Sequence, residues 1–163
     1  MSAPVFKEAR DRVLEMLEDA LAPDAMAWAS PGIPAPKVRV GGLPSEPPYE
    51  VIVRELPANV TFDRVSTCPM PRATWTVEVD LMASNADLVK ASDAVIAYAD
   101  ALVQVTAADR TLGGAVLMAT PEIGYVGTSG TSKGSYVAAI AAGVVCVSDP
   151  ATARNPEIWE GIQ

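Results

Sequence analysis

Residues 72–82 read RATWTVEVDLM, in which apolar and polar side chains alternate from Ala73 to Leu81. Successive side chains of a strand point to opposite faces, so this pattern predicts a strand with one face against a core and one polar face. The core face would carry Trp75, Val77, Val79 and Leu81. The polar face would carry Thr74, Thr76, Glu78 and Asp80.

A helical pattern follows the strand, ADLVKASDAVIAYADALVQ at residues 86–104. Apolar side chains recur there at three- and four-residue spacing, which predicts a long amphipathic helix. Ser84 or Asn85 is the expected N-cap, with Asp87 at the capping-box position if Ser84 is the cap.

The chain after this helix predicts two further strands joined by a hairpin. The turn Leu112-Gly113-Gly114 leads into a strand at 115–120. The glycines, serines and threonines of 124–134 predict a long, flexible hairpin tip. The last strand, SYVAAIAAGVVCVS at 135–148, has little bulk on either face, which allows another element to pack closely.

The first part of the chain is helical and then rich in proline. Residues 4–21 form an amphipathic pattern that Pro23 ends. The proline- and alanine-rich segment 22–37 is interpreted as a connector. The wider stretch 29–72 is an excursion in which prolines place short strands at a sheet edge. These strands are predicted at 37–40, 49–56 and 60–68.

Together these elements predict one α+β domain over residues 1–148. Its sheet would be mainly antiparallel, with about four to five strands, flanked by the N-terminal helix and the long helix. Residues 149–163 carry Ile158, Trp159 and Ile162. Exposed tails rarely hold such residues, so this segment is expected to dock on its own or another subunit.

The net charge of −8 and the pI near 4.4 disfavour nucleic-acid binding, which needs clustered Lys and Arg to displace counterions from phosphate. Such a charge commonly serves solubility. An acidic ring could also line a channel through which DNA passes without sticking.

The cysteines and the apolar segments of the chain predict the cellular compartment in which it folds. Cys68 and Cys146 lack metal-ligand spacing and are too few for a disulfide framework, which fits a reducing compartment. The charged residues 7–12 break up any signal-peptide core. The apolar stretch 136–147 is too short to span a bilayer. We therefore expect a soluble chain that folds in the cytoplasm.

Signs of catalysis are few. The chain has no histidine, which removes Ser-His and Cys-His nucleophile activation and the commonest metal ligand. The loop 127–134 has Ser132 before Lys133 and precedes a strand, so it does not match a phosphate-binding loop. Glu78 and Asp80 on one strand face are more readily explained as a solvated surface than as an acid–base pair. No enzyme activity, cofactor or metal is predicted.

The order of elements resembles that of the tail-terminator (tail-completion) proteins of long-tailed bacteriophages. The resemblance rests on the N-terminal helix with its proline-rich crossing segment, the strand 73–81, the helix 86–104 ending near Asp109-Arg-Thr-Leu-Gly-Gly114, and the closing strands around 124–134. The segment 29–72 is longer and less regular than expected for a small member of that family.

This resemblance implies a homo-oligomeric ring, usually six-fold, at the head–tail interface of a virion assembled in the host cytoplasm. The ring would cap the tail tube, stop its elongation, contact the head connector and let DNA pass. It implies no catalytic residues. The hairpin 124–134 would be an inter-subunit or tube-contacting arm, and the polar strand face would meet the channel or the subunit seam. The candidate interface or lumen residues are Thr76, Glu78, Asp80, Tyr125, Lys133, Tyr136 and Trp159.

Two other functions remain open from the sequence. One is another neck or head–tail connector protein, or a tail-tube subunit, which would polymerise into long tubes. The other is a small enzyme or ligand-binding domain, which would need a concave apolar pocket with converging polar groups.

Overall fold

A computed structural model describes residues 5–42, 48–64 and 71–148. The described helices are α1 (Phe6–Ala20), α2 (Pro23–Ala29) and α3 (Leu88–Ala108). The described strands are β1 (Lys37–Val40), β2 (Tyr49–Val53), β3 (Ala58–Asp63), β4 (Arg72–Asn85), β5 (Met118–Gly130) and β6 (Tyr136–Ser148). The predicted α+β class is confirmed, with six strands in one sheet.

The sheet has the order β1-β2-β4-β6-β5, and β3 pairs with β4 beside this path. Only the β1–β2 pairing is parallel among the described strands. Strand β6 pairs with β4 from Ala73 to Asn85 and so occupies one edge of β4 along nearly its whole length. Strands β3 and β2 therefore follow one another along the other edge, β3 beside 72–76 and β2 beside 79–83.

The alternation in β4 predicts the core correctly. Trp75, Val77, Val79 and Leu81 are all buried, and their partners on β6 are Cys146, Val144, Ala142 and Ile140. Helices α1 and α3 contact each other and cover this face. The Phe6 ring of α1 meets Trp75 edge-on, with 4.9 Å between ring centroids. Apolar burial in this one layer is the main stabilising term of the fold.

Helix α2 lies in the segment interpreted as a connector, so that prediction is wrong for Pro23–Ala29. Pro23 stands in the first turn of the helix. A proline there loses no hydrogen bond, because the first N–H groups of a helix have no partner within it. Met26 anchors the helix in the core.

The predicted N-cap of α3 is also wrong. Ser84 and Asn85 still belong to β4, where they pair with Val137 and Tyr136. Asp87 is the cap, and its side chain accepts hydrogen bonds from the backbone N–H groups of Val89 at 2.9 Å and Lys90 at 3.4 Å.

Removing this cap should weaken the fold measurably. Asp87→Ala leaves two N–H groups of α3 without their side-chain acceptor and is expected to lower the free energy of unfolding by about 1 kcal/mol. Urea denaturation followed by circular dichroism measures this change. Asp93→Ala, an exposed carboxylate further along the same helix, is the matched control and should have little effect.

The hairpin is mostly strand. Residues 126–130 of β5 pair with 136–140 of β6, so the turn is confined to 131–135. Since β4 pairs with β6 as far as Tyr136, the hairpin is bound to the sheet along its length. The flexible tip expected over 124–134 is therefore limited to the turn at 131–135.

Candidate interaction surfaces

The sheet face away from the helices, here called the outer face, holds the predicted polar residues. Glu78 is exposed, whereas Thr76 is buried and Asp80 is half-buried. Arg54, just after β2, forms an ion pair with Asp80. The two carboxylates therefore differ in environment: Asp80 has a basic partner, whereas Glu78 projects into solvent.

A shallow groove of about 190 Å³ crosses the outer face. It brings Thr76, Glu78 and Asp80 together with Glu122 of β5. Glu122 was missed because the expected strand ended at 120, whereas β5 continues and places Glu122 opposite Gly143. The polar side chains of this groove make it an acidic surface.

Tyr125 also lies at the outer face, at an irregularity in β5. Ile123 pairs with Ala142 and Val126 with Ile140, so Gly124 and Tyr125 together oppose one residue of β6. Such a bulge leaves an extra residue unpaired and bends the strand. The Tyr125 ring folds over Gly127, where an added Cβ would be 2.8 Å from the tyrosine oxygen.

The remaining predicted residues do not join this groove. Lys133 lies exposed in the turn between β5 and β6. Tyr136 begins β6 opposite Asn85, and by alternation from Ala138 and Ile140 it belongs to the helix side of the sheet. Trp159 and the tail 149–163 lie outside the described residues, as does Cys68.

The buried nucleophiles and hydroxyls have structural roles. Burial raises the pKa of the Cys146 thiol to about 12, which keeps it protonated and unreactive near neutral pH. Burial also raises the pKa of Tyr98, whose hydroxyl donates a hydrogen bond to the carbonyl oxygen of Pro34 at 2.6 Å. This bond ties α3 to the segment before β1.

The turn between α3 and β5 is held by a second polar contact. Asp109 accepts a hydrogen bond from the Gly113 backbone N–H at 3.0 Å, and Arg12 of α1 donates to it at 3.1 Å. These contacts lower the pKa of Asp109, the Gly113 bond most. They explain the ordered turn Leu112-Gly113-Gly114, in which all three residues have positive φ.

An apolar groove of about 450 Å³ lies between the end of α3 and the start of β5. Its walls include Val103 and Ala107 on the helix and Leu117, Met118 and Pro121 on the strand side. Three polar residues, Thr106, Arg110 and Thr120, also line it. The sequence prediction missed this groove, because its two walls meet only in the folded chain.

The described residues hold neither a metal-binding cluster nor a membrane-spanning helix. No three His, Cys, Asp or Glu side chains within ranges 5–42, 48–64 and 71–148 are placed to hold a metal ion. No helix in these ranges is both long enough and apolar enough to cross a bilayer.

The fold is similar to that of a chain in a solved structure of the virion of a native gene transfer agent particle. The TM-score is 0.50 and the identity is 16%, and the match covers 91% of this chain and 100% of the other. No protein-family model and no curated protein matches the sequence. At this identity the likeness concerns the fold, which both chains share over nearly their whole length.

Proposed function

We infer that this chain is a structural protein of a phage-like virion. It forms a six-fold ring at the top of the tail tube, ends elongation of the tube and joins the tail to the head connector. The observation that carries this proposal is the likeness in fold to a chain of the gene transfer agent virion, over 91% of this chain and all of the other. The order of elements resembling tail terminators supports the specific role within the virion.

The surfaces favour assembly over catalysis. The described part of the chain presents exposed apolar side chains on α3, β3 and β5, and its buried Cys146 is an unreactive thiol. Exposed apolar patches commonly mark sites of protein association. The partners are further copies of this chain, the tail-tube protein and the head-connector proteins, and the ring is built in the host cytoplasm.

The outer face of the sheet lines the channel in this proposal. Glu78 and Glu122 give that face an acidic character, and the basic partner of Asp80 neutralises only one of its carboxylates. Phosphate binding depends on Lys and Arg, so an acidic lining lets DNA pass without being held. Lys133, in the turn between β5 and β6, is then available to the tube or the connector, whereas Tyr125 lies on the outer face beside the channel.

Deletion of the gene tests the role. Particles assembled without this chain should show tails of uncontrolled length and heads that are not joined to tails, when counted by electron microscopy. Supplying the chain in trans should restore both. Absence of any tube would identify a tube subunit instead, and joined heads with regular tails but unfilled capsids would place the chain in the head. Normal particles would contradict a structural role at the neck.

A further inference from the structure

The side of α3 nearest β5 is apolar and uncovered. The groove at the start of β5 shows that Val103 and Ala107 face this side. Residues seven apart lie almost two helical turns apart on the same face, so Ile96 and Val89 continue the row from Val103. Ile96 is 53% exposed and Val89 is 65% exposed.

The facing side of β5 is also apolar and exposed. Ile123 and Val126 lie opposite Ala142 and Ile140, two buried residues on the helix side of the sheet. Ile123 and Val126 therefore point to the same side as α3, yet both are exposed. We call this surface the α3/β5 face, defined by Val89, Ile96, Val103, Ile123 and Val126.

A second apolar surface lies at the opposite edge of the sheet. Leu56, Val60 and Phe62 are exposed on β3 and the loop before it, Leu56 at 73% and Phe62 at 55%. Because β3 pairs with the edge of β4 that faces away from β6, β3 and β5 lie at opposite edges with two strands between them. At about 4.8 Å per strand, roughly 14 Å separates these edges. We call this surface the β3 face.

Opposite charges are available beside the two faces, with carboxylates on α3 and with Arg64, next to the exposed Asp63, at the end of β3. Asp93 and Asp100 lie three residues before and four after Ile96, on the side of its row away from β5, where Asp93 also lines a groove with Pro34 and Tyr49. Strand β3 runs into the exposed Arg64, and no carboxylate in the described residues lies within ion-pairing distance of this guanidinium.

We propose that the α3/β5 face of one copy of this chain packs on the β3 face of the next copy. The two faces differ and lie at opposite edges, so each copy offers both halves of a head-to-tail contact, which generates a ring when its rotation closes. The proposal rests on the proposed function and adds the location of the seam. Pro121 has no N–H to offer a further strand, and the bulge at Gly124–Tyr125 bends β5, so the proposed contact there is made by side-chain packing.

Two variants of the full chain test the seam. The first, Ile96→Asp with Ile123→Asp, destroys the α3/β5 face. The second, Leu56→Asp with Phe62→Asp, destroys the β3 face. All four side chains are exposed, so folding should be retained, which circular dichroism checks. Each variant alone should be monomeric by sedimentation equilibrium, with self-association weakened at least about 100-fold because two central apolar contacts are lost.

Mixing the two variants gives the sharper result. Each retains the face that the other lacks, so the mixture should form a one-to-one dimer that does not grow, visible by native mass spectrometry. Trp28→Asp is the matched control, since Trp28 is an exposed apolar residue outside both faces and its loss should leave assembly unchanged.

Three results would overturn the proposed seam. In the first, the β3 variant assembles like the unmodified chain while the α3/β5 variant is monomeric. This would show that two α3/β5 faces pair with each other. Normal assembly of both variants would place the seam elsewhere, while leaving the neck function intact. An unmodified chain that stays monomeric at its highest soluble concentration would also contradict the contact. Failure of the neck function itself would appear in the deletion particles and not in these mixtures.

Discussion

Trp75→Ala is expected to remove most of the stability of the domain. Trp75 is fully buried near the start of β4, beside Cys146 of β6 and in edge contact with the Phe6 ring of α1. Truncating a buried tryptophan typically costs about 3–5 kcal/mol, against a total of about 5–15 kcal/mol for a domain. Urea denaturation should show the loss as a large fall in the midpoint.

Two comparisons make this result specific. Trp28→Ala removes the same side chain from a site that is 90% exposed and should change the free energy of unfolding by less than about 0.5 kcal/mol. Trp75→Phe should cost much less than Trp75→Ala, because it keeps most of the apolar ring and removes an indole N–H that has no partner in the described residues. Equal stability of the two alanine variants would refute this description of the core.

Gly143→Ala is expected to destabilise the sheet through one added methyl group. Gly143 lies on β6 opposite Glu78, where an added Cβ would come within 2.7 Å of the Thr76 methyl and 3.0 Å of the Val77 carbonyl oxygen. The φ of Gly143 is not positive, so the backbone conformation itself suits alanine. Overpacking against backbone costs about 1–3 kcal/mol.

Gly130→Ala is the control for this steric effect. Gly130 is also a strand glycine without positive φ, but nothing lies within 4 Å of the position of an added Cβ. This variant should be neutral or slightly stabilised, since alanine reduces the freedom of the unfolded chain. If the two variants unfold at the same urea concentration, the close approach of β6 to β4 at Gly143 is wrong.

Patterns within short stretches of sequence predicted the existence and type of individual strands and helices. The alternation around Trp75 and Val77 reports a half-buried strand wherever that strand sits in the sheet, and the periodicity of 86–104 reports α3 in the same way. Both survive in the structure, although β4 continues to Asn85 and α3 to Ala108. The end of a strand depends on its pairing partner. Strand β4 extends to Asn85 because Tyr136 pairs with it there, and Tyr136 is distant in the sequence.

Features set by strand order could not be predicted. The meeting of Glu122 with Glu78 depends on β5 and β4 both pairing with β6, and the opposite positions of Phe62 and Ile123 depend on which edge of β4 each hairpin takes. The ion pair that joins Arg54 to Asp80 depends on the pairing of β2 with β4. These distant contacts, and not any single motif, create the surfaces that the proposed ring uses.

Electron microscopy of intact particles, averaged at the junction of head and tail, tests the central claim most directly. We expect one closed ring of this chain between the tail tube and the head connector, with the outer sheet face of Glu78 and Glu122 towards the channel. Density for the chain repeated along the tube, or found only in the capsid shell, would contradict it.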